Sequence, residues 1–367
     1  MAENDAELLC IGNVLVDIFA QGEENIDLQY GLNEKVQHIP MAQMREILSV
    51  LPEFTICSGG GAANTAKIAG LLGIETCFVG APGAAPGEDQ EDSDSRIRTE
   101  KGPYDQFGRF FEKQLEEAGV NTRLIPKPSP TGICLILQMN DGQVKIAASP
   151  SASLELSEND LDEELIRKAK VVVLDGFMLD RQSLVRHILE LAHKYGTVVA
   201  LDLSTVGLAS DKAIEIITYA RIYPLIIFMN EDEARAFYRT LSQKQEPSQT
   251  HRKDAALSPE LMNLFKGFTS HDIFPILTVK LGSRGAVVFA GGNVFREEAI
   301  PVIPLETTGA GDTFCAAFLA AWIRDKSLSE CAAMGNKAAR EVLDVRGTQV
   351  DPKILKSLNC CARQTRR

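Results

Sequence analysis

A short segment rich in glycine and threonine carries the residues best suited to chemistry. Residues 306–314 read ETTGAGDTF and run directly into the apolar stretch 315–322. Gly309 and Gly311 permit backbone conformations closed to other residues, and a helix start offers unpaired N–H groups with partial positive charge. Such a turn suits a phosphate group. Asp312 would repel that phosphate, so we expect it to take a proton from an attacking hydroxyl group.

The same residues also allow a simpler interpretation, in which the aspartate only caps a helix and the glycines only form a turn. Partners elsewhere in the chain are needed to decide. The apolar run 8–20 is predicted to be one strand buried on both faces, and Asp17 is its odd residue. A buried carboxylate needs partners, and a pair of substrate hydroxyls would supply them; a salt bridge or an exposed strand end is the alternative.

A second glycine-rich segment, SGGGAANTA at residues 58–66, opens another helix of small residues. Glycines there let a ligand approach the backbone, and Asn64 offers both a donor and an acceptor to hydroxyl groups. Tight packing of the helix against a sheet is the alternative. A Rossmann nucleotide loop is disfavoured because the segment lacks the full Gly-x-Gly-x-x-Gly spacing.

Regular alternation of strands and helices must position these segments. Apolar strands are predicted at 171–175, 198–203 and 225–229, with helices at 157–168, 181–195 and 211–221 between and beside them. This pattern predicts a parallel sheet covered on both faces, with ligands beyond the carboxyl ends of the strands. A hairpin is predicted from 131–138 and 144–148, joined by a turn containing Asn-Asp-Gly.

These segments, in this order, resemble the signature motifs of the PfkB (ribokinase-like) family of sugar and nucleoside kinases. The resemblance runs from about residue 8 to residue 350. One departure is visible, because Glu306 stands where the family usually has aspartate. That change leaves the base untouched but affects the local turn and metal contacts.

The resemblance implies a three-layer α/β fold of the ribokinase type, with a mostly parallel central sheet flanked by helices and a small β-sheet lid. One kinase domain would span 8–350, with lid segments at about 18–39 and 130–149. An acidic insert is expected at 84–103, a surface insert at 241–272 and a C-terminal tail at 351–367. In the family such lids often pair between subunits, which implies a homodimer through the lid.

It also assigns roles to individual residues. Asp312 would be the base, with the backbone N–H groups of Gly309, Ala310 and Gly311 stabilising the transferred phosphoryl group. Residues implied to hold the acceptor are Asp17, Gly59, Gly60 and Asn64. Residues implied to contact ATP are Lys280, Gly282, Gly285 and Asn336, although the first three also fit an ordinary hairpin turn and the last fits helix packing. Asn230 and Glu233 would organise Mg²⁺, which needs few carboxylates, although acids are also common in a first helical turn. A monovalent cation is a further cofactor that the resemblance allows.

The expected acceptor is a sugar or sugar derivative. A nucleoside is the alternative, because residues 29–34 (QYGLNE) resemble the start of the lid in adenosine-kinase members. Phosphorylated sugars rank lower, since no extra basic cluster accompanies the substrate motifs. A catalytically silent sugar-binding regulator ranks lowest, because Asp312 and its glycine turn are complete.

The overall composition limits which binding partners and which compartment we expect. The chain has 367 residues and a net charge of −12, with 45% hydrophobic residues. Outside a short arginine-containing tail it has no basic run, so nucleic acid is not expected as a partner. Neither a signal peptide nor an apolar stretch long enough to span a membrane is expected. The eight cysteines show no Cys-x-x-Cys spacing, which favours a reducing cytoplasm.

Overall fold

The computed structural model describes residues 6–22, 26–32, 36–85, 102–140, 142–242, 257–345 and 348–358. Its strands, numbered in chain order, are β1 (Leu8–Ile11), β2 (Leu15–Gln21), β3 (Val36–His38), β4 (Phe54–Gly59), β5 (Thr76–Gly80), β6 (Val120–Leu124), β7 (Gly132–Gln138), β8 (Val144–Ser149), β9 (Val171–Asp175), β10 (Val198–Asp202), β11 (Leu225–Asn230), β12 (Ile276–Lys280), β13 (Ala286–Ala290) and β14 (Asn293–Glu297). Its helices are α1 (Ile26–Gln29), α2 (Met41–Val50), α3 (Gly61–Leu71), α4 (Gln106–Glu117), α5 (Glu163–Lys168), α6 (Gln182–Tyr195), α7 (Val206–Asp211), α8 (Ala213–Ala220), α9 (Glu231–Ser242), α10 (Pro259–Ser270), α11 (Ala310–Ile323), α12 (Leu328–Val342) and α13 (Pro352–Ser357).

The central sheet has nine strands in the order β14-β13-β12-β11-β10-β9-β1-β5-β6. Within the described residues its pairs are parallel, except for the antiparallel pairs β12–β13 and β13–β14. The carboxyl ends of β1, β9, β10, β11 and β12 therefore lie along one edge. Residues that follow these strands meet there, as the alternation of the sequence predicted.

Alternate residues of β1 show how the sheet is covered. Leu9 and Ile11 belong to a core that includes buried residues of α6, α9 and α10, whereas Leu8 and Cys10 belong to a core with α3, α11 and α12. Successive side chains of a strand point to opposite faces, so each face has its own helical layer. The predicted three-layer α/β fold is confirmed.

The apolar run 8–20 is not one strand, contrary to the prediction. It is divided between β1 in the central sheet and β2 in a second sheet, and the two strands are joined at residues 12–14. A Cβ atom on Gly12 would lie 2.6 Å from the Ala62 Cβ, so the chain crosses close against α3 there. Asp17 is consequently carried by the second sheet, not by the edge of the central one.

The second sheet, called the lid below, has the order β3-β8-β7-β2-β4. It contains the predicted hairpin, because β7 and β8 pair in antiparallel fashion. Neither predicted lid segment includes β4, which pairs with β2 and leads directly into the second glycine-rich turn. Met44 and Ile47 of α2 are fully buried against one face of the lid.

Other elements differ in detail from the prediction. Ser157 caps only a short 3₁₀ turn, and Asp162 caps α5 separately by accepting a hydrogen bond from the Glu164 N–H. The predicted helix 211–221 corresponds to α8 alone, with α7 ending at its start. Within the predicted surface insert, α10 packs into the core through residues that are fully buried, Leu261 and Phe265. Residues 86–101, most of the acidic insert, and 243–256 lie outside the described residues.

Candidate active site

Helix α11 begins at the glycine turn that the sequence singled out. Gly309 has a φ of 78°, in the left-handed region that favours glycine, and no side chain caps the helix start. Ala310 and Gly311 form the first turn together with Asp312, and all three line a cavity of about 420 Å³. The positive end of the helix dipole is therefore directed at this cavity, where it favours an anion.

Asp312 is held by a chain of hydrogen bonds from distant parts of the sequence. The Asn64 Nδ2 donates to the Asp312 Oδ2 at 2.9 Å, and the Thr348 Oγ1 donates to the Asn64 Oδ1 at 3.1 Å. The second bond fixes which end of the Asn64 amide faces Asp312. Asn64, predicted as an acceptor ligand, thus positions the predicted base in this structure.

Burial raises the pKa of Asp312 to about 7, and the negative charge of Asp202 acts in the same direction. The bond from Asn64 and the positive charge of Lys280 oppose this rise. A carboxylate with a pKa near neutrality is a stronger base than an ordinary aspartate yet is still substantially ionised. The environment of Asp312 therefore suits proton abstraction from a hydroxyl group.

Asp17 lies on the lid and is 6% exposed. Burial, followed by the charges of Asp312 and Glu306, raises the pKa of Asp17 to about 7. Gly59 is packed against it so closely that a Cβ atom would lie 1.9 Å from the Asp17 Oδ1. Gly60 has a φ of 97°, and a Cβ there would come within 2.6 Å of the Asn13 carbonyl oxygen. Both glycines are thus required by local geometry.

Lys280, at the end of β12, forms a close ion pair with Asp202 at the end of β10. The Lys280 Nζ lies 2.6 Å from the Asp202 Oδ2, and the Cys315 Sγ donates to the same oxygen at 3.0 Å. A Cβ atom on Gly311 would lie 3.2 Å from that Nζ. Burial disfavours the charged amine, but Asp202 together with Cys315 and Glu233 outweighs this effect and raises the pKa of Lys280. The ion pair therefore keeps a cation beside the glycine turn.

Asn230 and Glu233 bind one another at the start of α9. The Asn230 N–H and Nδ2 donate to the two carboxylate oxygens of Glu233, and the Glu233 N–H donates to the Asn230 Oδ1 at 2.9 Å. Both residues line the cavity, and burial raises the pKa of Glu233. No cluster of three or more metal-ligating side chains occurs among the described residues. One carboxylate with neighbouring amide oxygen fits Mg²⁺, which keeps several waters and phosphate oxygens as ligands.

The predicted nucleotide-contacting residues all line the same cavity. Gly282 has a φ of 60° and faces open space, because a Cβ atom there would meet no atom within 4 Å. Gly285 differs, because a Cβ atom there would lie 1.9 Å from the Glu297 carbonyl oxygen. The Asn336 Nδ2 donates to that carbonyl oxygen at 3.0 Å. Gly285 and Asn336 therefore also serve the local fold.

Sequence reasoning missed two carboxylates at the ends of neighbouring strands, the buried Asp175 and the partly buried Asp202. Asp175 is 2% exposed, and its Oδ2 accepts a hydrogen bond from the Ala62 N–H at 3.3 Å. An acid that ends an apolar strand at the predicted ligand-binding edge was the available signal. The signal is ambiguous in a sequence, because acids also end strands where they bind no ligand.

The fold and the cavity together define a kinase of the ribokinase-like class. A sequence profile of the pfkB family of carbohydrate kinases matches residues 103–354, and the chain belongs to this family. It is 26% identical to a 5-dehydro-2-deoxygluconokinase of Geobacillus kaustophilus, over 89% of this chain and 88% of that protein. It is also 26% identical to adenosine kinase 2 of Arabidopsis thaliana, over 94% and 95% of the two chains. The crystal structure of adenosine kinase from Sinorhizobium meliloti superposes with a TM-score of 0.77 at 25% identity, covering 98% and 99%. The protein is therefore a kinase enzyme, as predicted.

Across the described residues, no helix combines the length and the apolar character needed to cross a bilayer. The six described cysteines are all unpaired, and five of them are buried. Cys360 and Cys361 lie outside the described residues, as do Asn33 and Glu34.

Proposed function

We propose that the protein transfers the γ-phosphoryl group of ATP to a hydroxyl group of a sugar or sugar derivative, with Asp312 as the general base. The observation that carries this proposal is the position of Asp312. Its carboxylate lines the cavity that would hold ATP, is held by Asn64, and acts electrostatically on Asp17 of the lid. A nucleoside is the alternative acceptor, favoured by the similarity to adenosine kinases over nearly the whole chain.

The residues of this chain would act in sequence on the acceptor and the phosphate. Asp17 would bind acceptor hydroxyls, and Asp312 would take the proton from the attacking one as the phosphorus–oxygen bond forms. The N–H groups of residues 309–311 and the Lys280 ammonium would stabilise negative charge on the transferred group. Mg²⁺ near Asn230 and Glu233 would neutralise phosphate charge.

The lid would exclude water, which otherwise competes with the acceptor for the phosphoryl group. A homodimer through the lid remains a prediction, as does a monovalent-cation site. We retain the cytoplasm as the compartment because the described cysteines are unpaired.

The test is ATP consumption by the Asp312→Asn variant. A general base typically accelerates a reaction by about 10²–10⁴-fold. The kcat should therefore fall by at least about 10²-fold, while the Kd for ATP changes little. The matched control is Asp211→Asn, which removes the same charge from an exposed site at the end of α7. Turnover in Asp312→Asn comparable to the control would refute the assignment of the base.

A further inference from the structure

The inner face of the lid, on which Asp17 lies, is largely apolar. Asp17 and Phe19 are two residues apart in β2, so they point to the same face. Cys57 of β4 is in register with Asp17, and Ile136 of β7 is in register with Phe19. Phe19, Cys57 and Ile136 are buried together in one cluster, surrounded by partly buried residues: Cys134, Val144 and Ile146. Asp17, the carboxylate proposed to bind the acceptor, is therefore bordered by apolar side chains.

A groove of about 310 Å³ lies beside this face and is separate from the cavity next to Asp312. Its lid wall includes Phe19 and Thr55, which are paired across β2 and β4. Its opposite wall is the segment after α12, with Val345 and Gln349. The Gln349 Nε2 donates to the Ile56 carbonyl oxygen at 3.3 Å and holds the two walls together. None of the described residues that line the groove carries a charge.

The charges near Asp17 are mostly negative. Asp312 and Glu306 both act on it electrostatically. Two cations of the described chain, Lys67 and Lys280, act on these carboxylates, and both already have partners. The buried Lys67 contacts the Gln114 Oε1 through its Nζ at 3.4 Å. Lys280 is held by its ion pair with Asp202. An acceptor that brings its own carboxylate or phosphate would meet repulsion from Asp17, Asp312 and Glu306, and of the two cations only Lys67, which contacts a neutral amide, would oppose it.

Resting on the proposed function, we infer that the acceptor is an uncharged polyhydroxyl compound with an apolar substituent, of the glycoside or nucleoside class. Its hydroxyl groups bind Asp17 and face Asp312, and its apolar part lies in the groove against Phe19. Sugar acids and sugar phosphates are disfavoured by the surrounding carboxylates. A plain sugar has no apolar substituent to place in the groove. Its binding therefore lacks the free energy that burial of that apolar surface contributes.

The first experiment compares acceptors that share a ribosyl group. Adenosine, ribose, ribose 5-phosphate and, as a sugar acid, gluconate are each tested for ATP consumption with Mg²⁺, and calorimetry measures their binding to the protein with ADP. We expect kcat/KM for adenosine to exceed that for ribose at least tenfold, with the anionic compounds below ribose. Turnover that needs Asp312 but is fastest with ribose or an anion would overturn this inference and leave the proposed function standing. If no compound is turned over and none binds, both this inference and the proposed function are overturned.

A second experiment tests the groove directly with two variants. Thr55 is exposed, so Thr55→Lys places a bulky cation at the groove with little risk to folding. Phe19→Leu keeps an apolar residue but removes the flat ring. Both should lower the ratio of kcat/KM for adenosine to that for ribose at least fivefold. The matched control is Thr218→Lys on the exposed side of α8, which should leave the ratio unchanged. A ratio that is unaltered in both groove variants contradicts the inference.

Discussion

Replacement of Asp202 by asparagine tests how the charges of the site are coupled. Asp202 pairs with Lys280 at 2.6 Å and raises the pKa of Asp312. In Asp202→Asn the negative charge disappears, and the positive charge of Lys280 is no longer neutralised. Both changes favour the ionised form of Asp312. The pKa of Asp312 should therefore fall from about 7.

The size of the effect follows from the Coulomb energy. Two unit charges at separations of about 5–10 Å interact by roughly 2–3 kcal/mol at an effective dielectric constant of about 20, before any relaxation. Relaxation and solvent reduce this, so we expect the acidic limb of the pH profile to move down by roughly one pH unit. Activity requires the ionised base, so it rises with pH through the pKa, and the variant should reach its plateau at lower pH. Without its ion pair to Asp202, Lys280 should also be less well positioned beside the phosphate, which should lower kcat by roughly 10–100-fold.

The assay is kcat/KM for the acceptor from about pH 5 to about pH 9, because this ratio reports ionisations of the free enzyme. Asp180→Asn is the matched control. Asp180 forms an ion pair with Lys212 at 2.9 Å, but its side chain is 61% exposed, so its removal should change neither the profile nor kcat. A thermal melt of each variant checks that the fold is retained. An acidic limb that stays in place in folded Asp202→Asn would refute the coupling.

Two further predictions concern the acceptor and metal sites. Gly59→Ala should raise the KM for the acceptor at least tenfold, because the added Cβ would lie 1.9 Å from the Asp17 Oδ1 and must displace that carboxylate. Gly267→Ala in α10, where a Cβ meets no atom within 4 Å, is the control and should be neutral or stabilise by about 0.5–1 kcal/mol. Equal KM values in the two variants would exclude tight packing at Gly59. Glu233→Gln should raise the Mg²⁺ concentration for half-maximal rate by roughly 10–100-fold. An unchanged Mg²⁺ requirement with a lower Tm would mean that Glu233 only stabilises the start of α9.

The sequence predicted the parts of the site that depend on strand order. Asn230 directly follows the predicted strand 225–229, so its place at the carboxyl edge of the sheet follows from the alternation of strands and helices. The hairpin β7–β8 followed from its turn residues in the same way. These features depend on residues that are neighbours in the chain, so a single sequence is enough to predict them.

Contacts between residues far apart in the chain could not be predicted from the sequence. Asp202 becomes notable only through Lys280 and Cys315, which follow it by 78 and 113 positions. The division of the run 8–20 was hidden because both halves are apolar, so neither hydrophobicity nor periodicity changes where the chain leaves one sheet for the other. Gly285 was predicted for nucleotide contact, and the crowding against Glu297 that also demands a glycine there depends on tertiary packing.

The location of Asp17 on the lid affects how binding constants should be interpreted. Asp17 belongs to the five-stranded sheet, whereas Asp312 belongs to a helix on the nine-stranded sheet. An acceptor that touches both must therefore bind in proportion to the population of molecules whose two sheets are correctly apposed. Substitutions in α2, or at Gly12 where the chain passes from one sheet to the other, would then appear as weaker acceptor affinity. In this architecture the apparent affinity is partly a measure of conformational equilibrium.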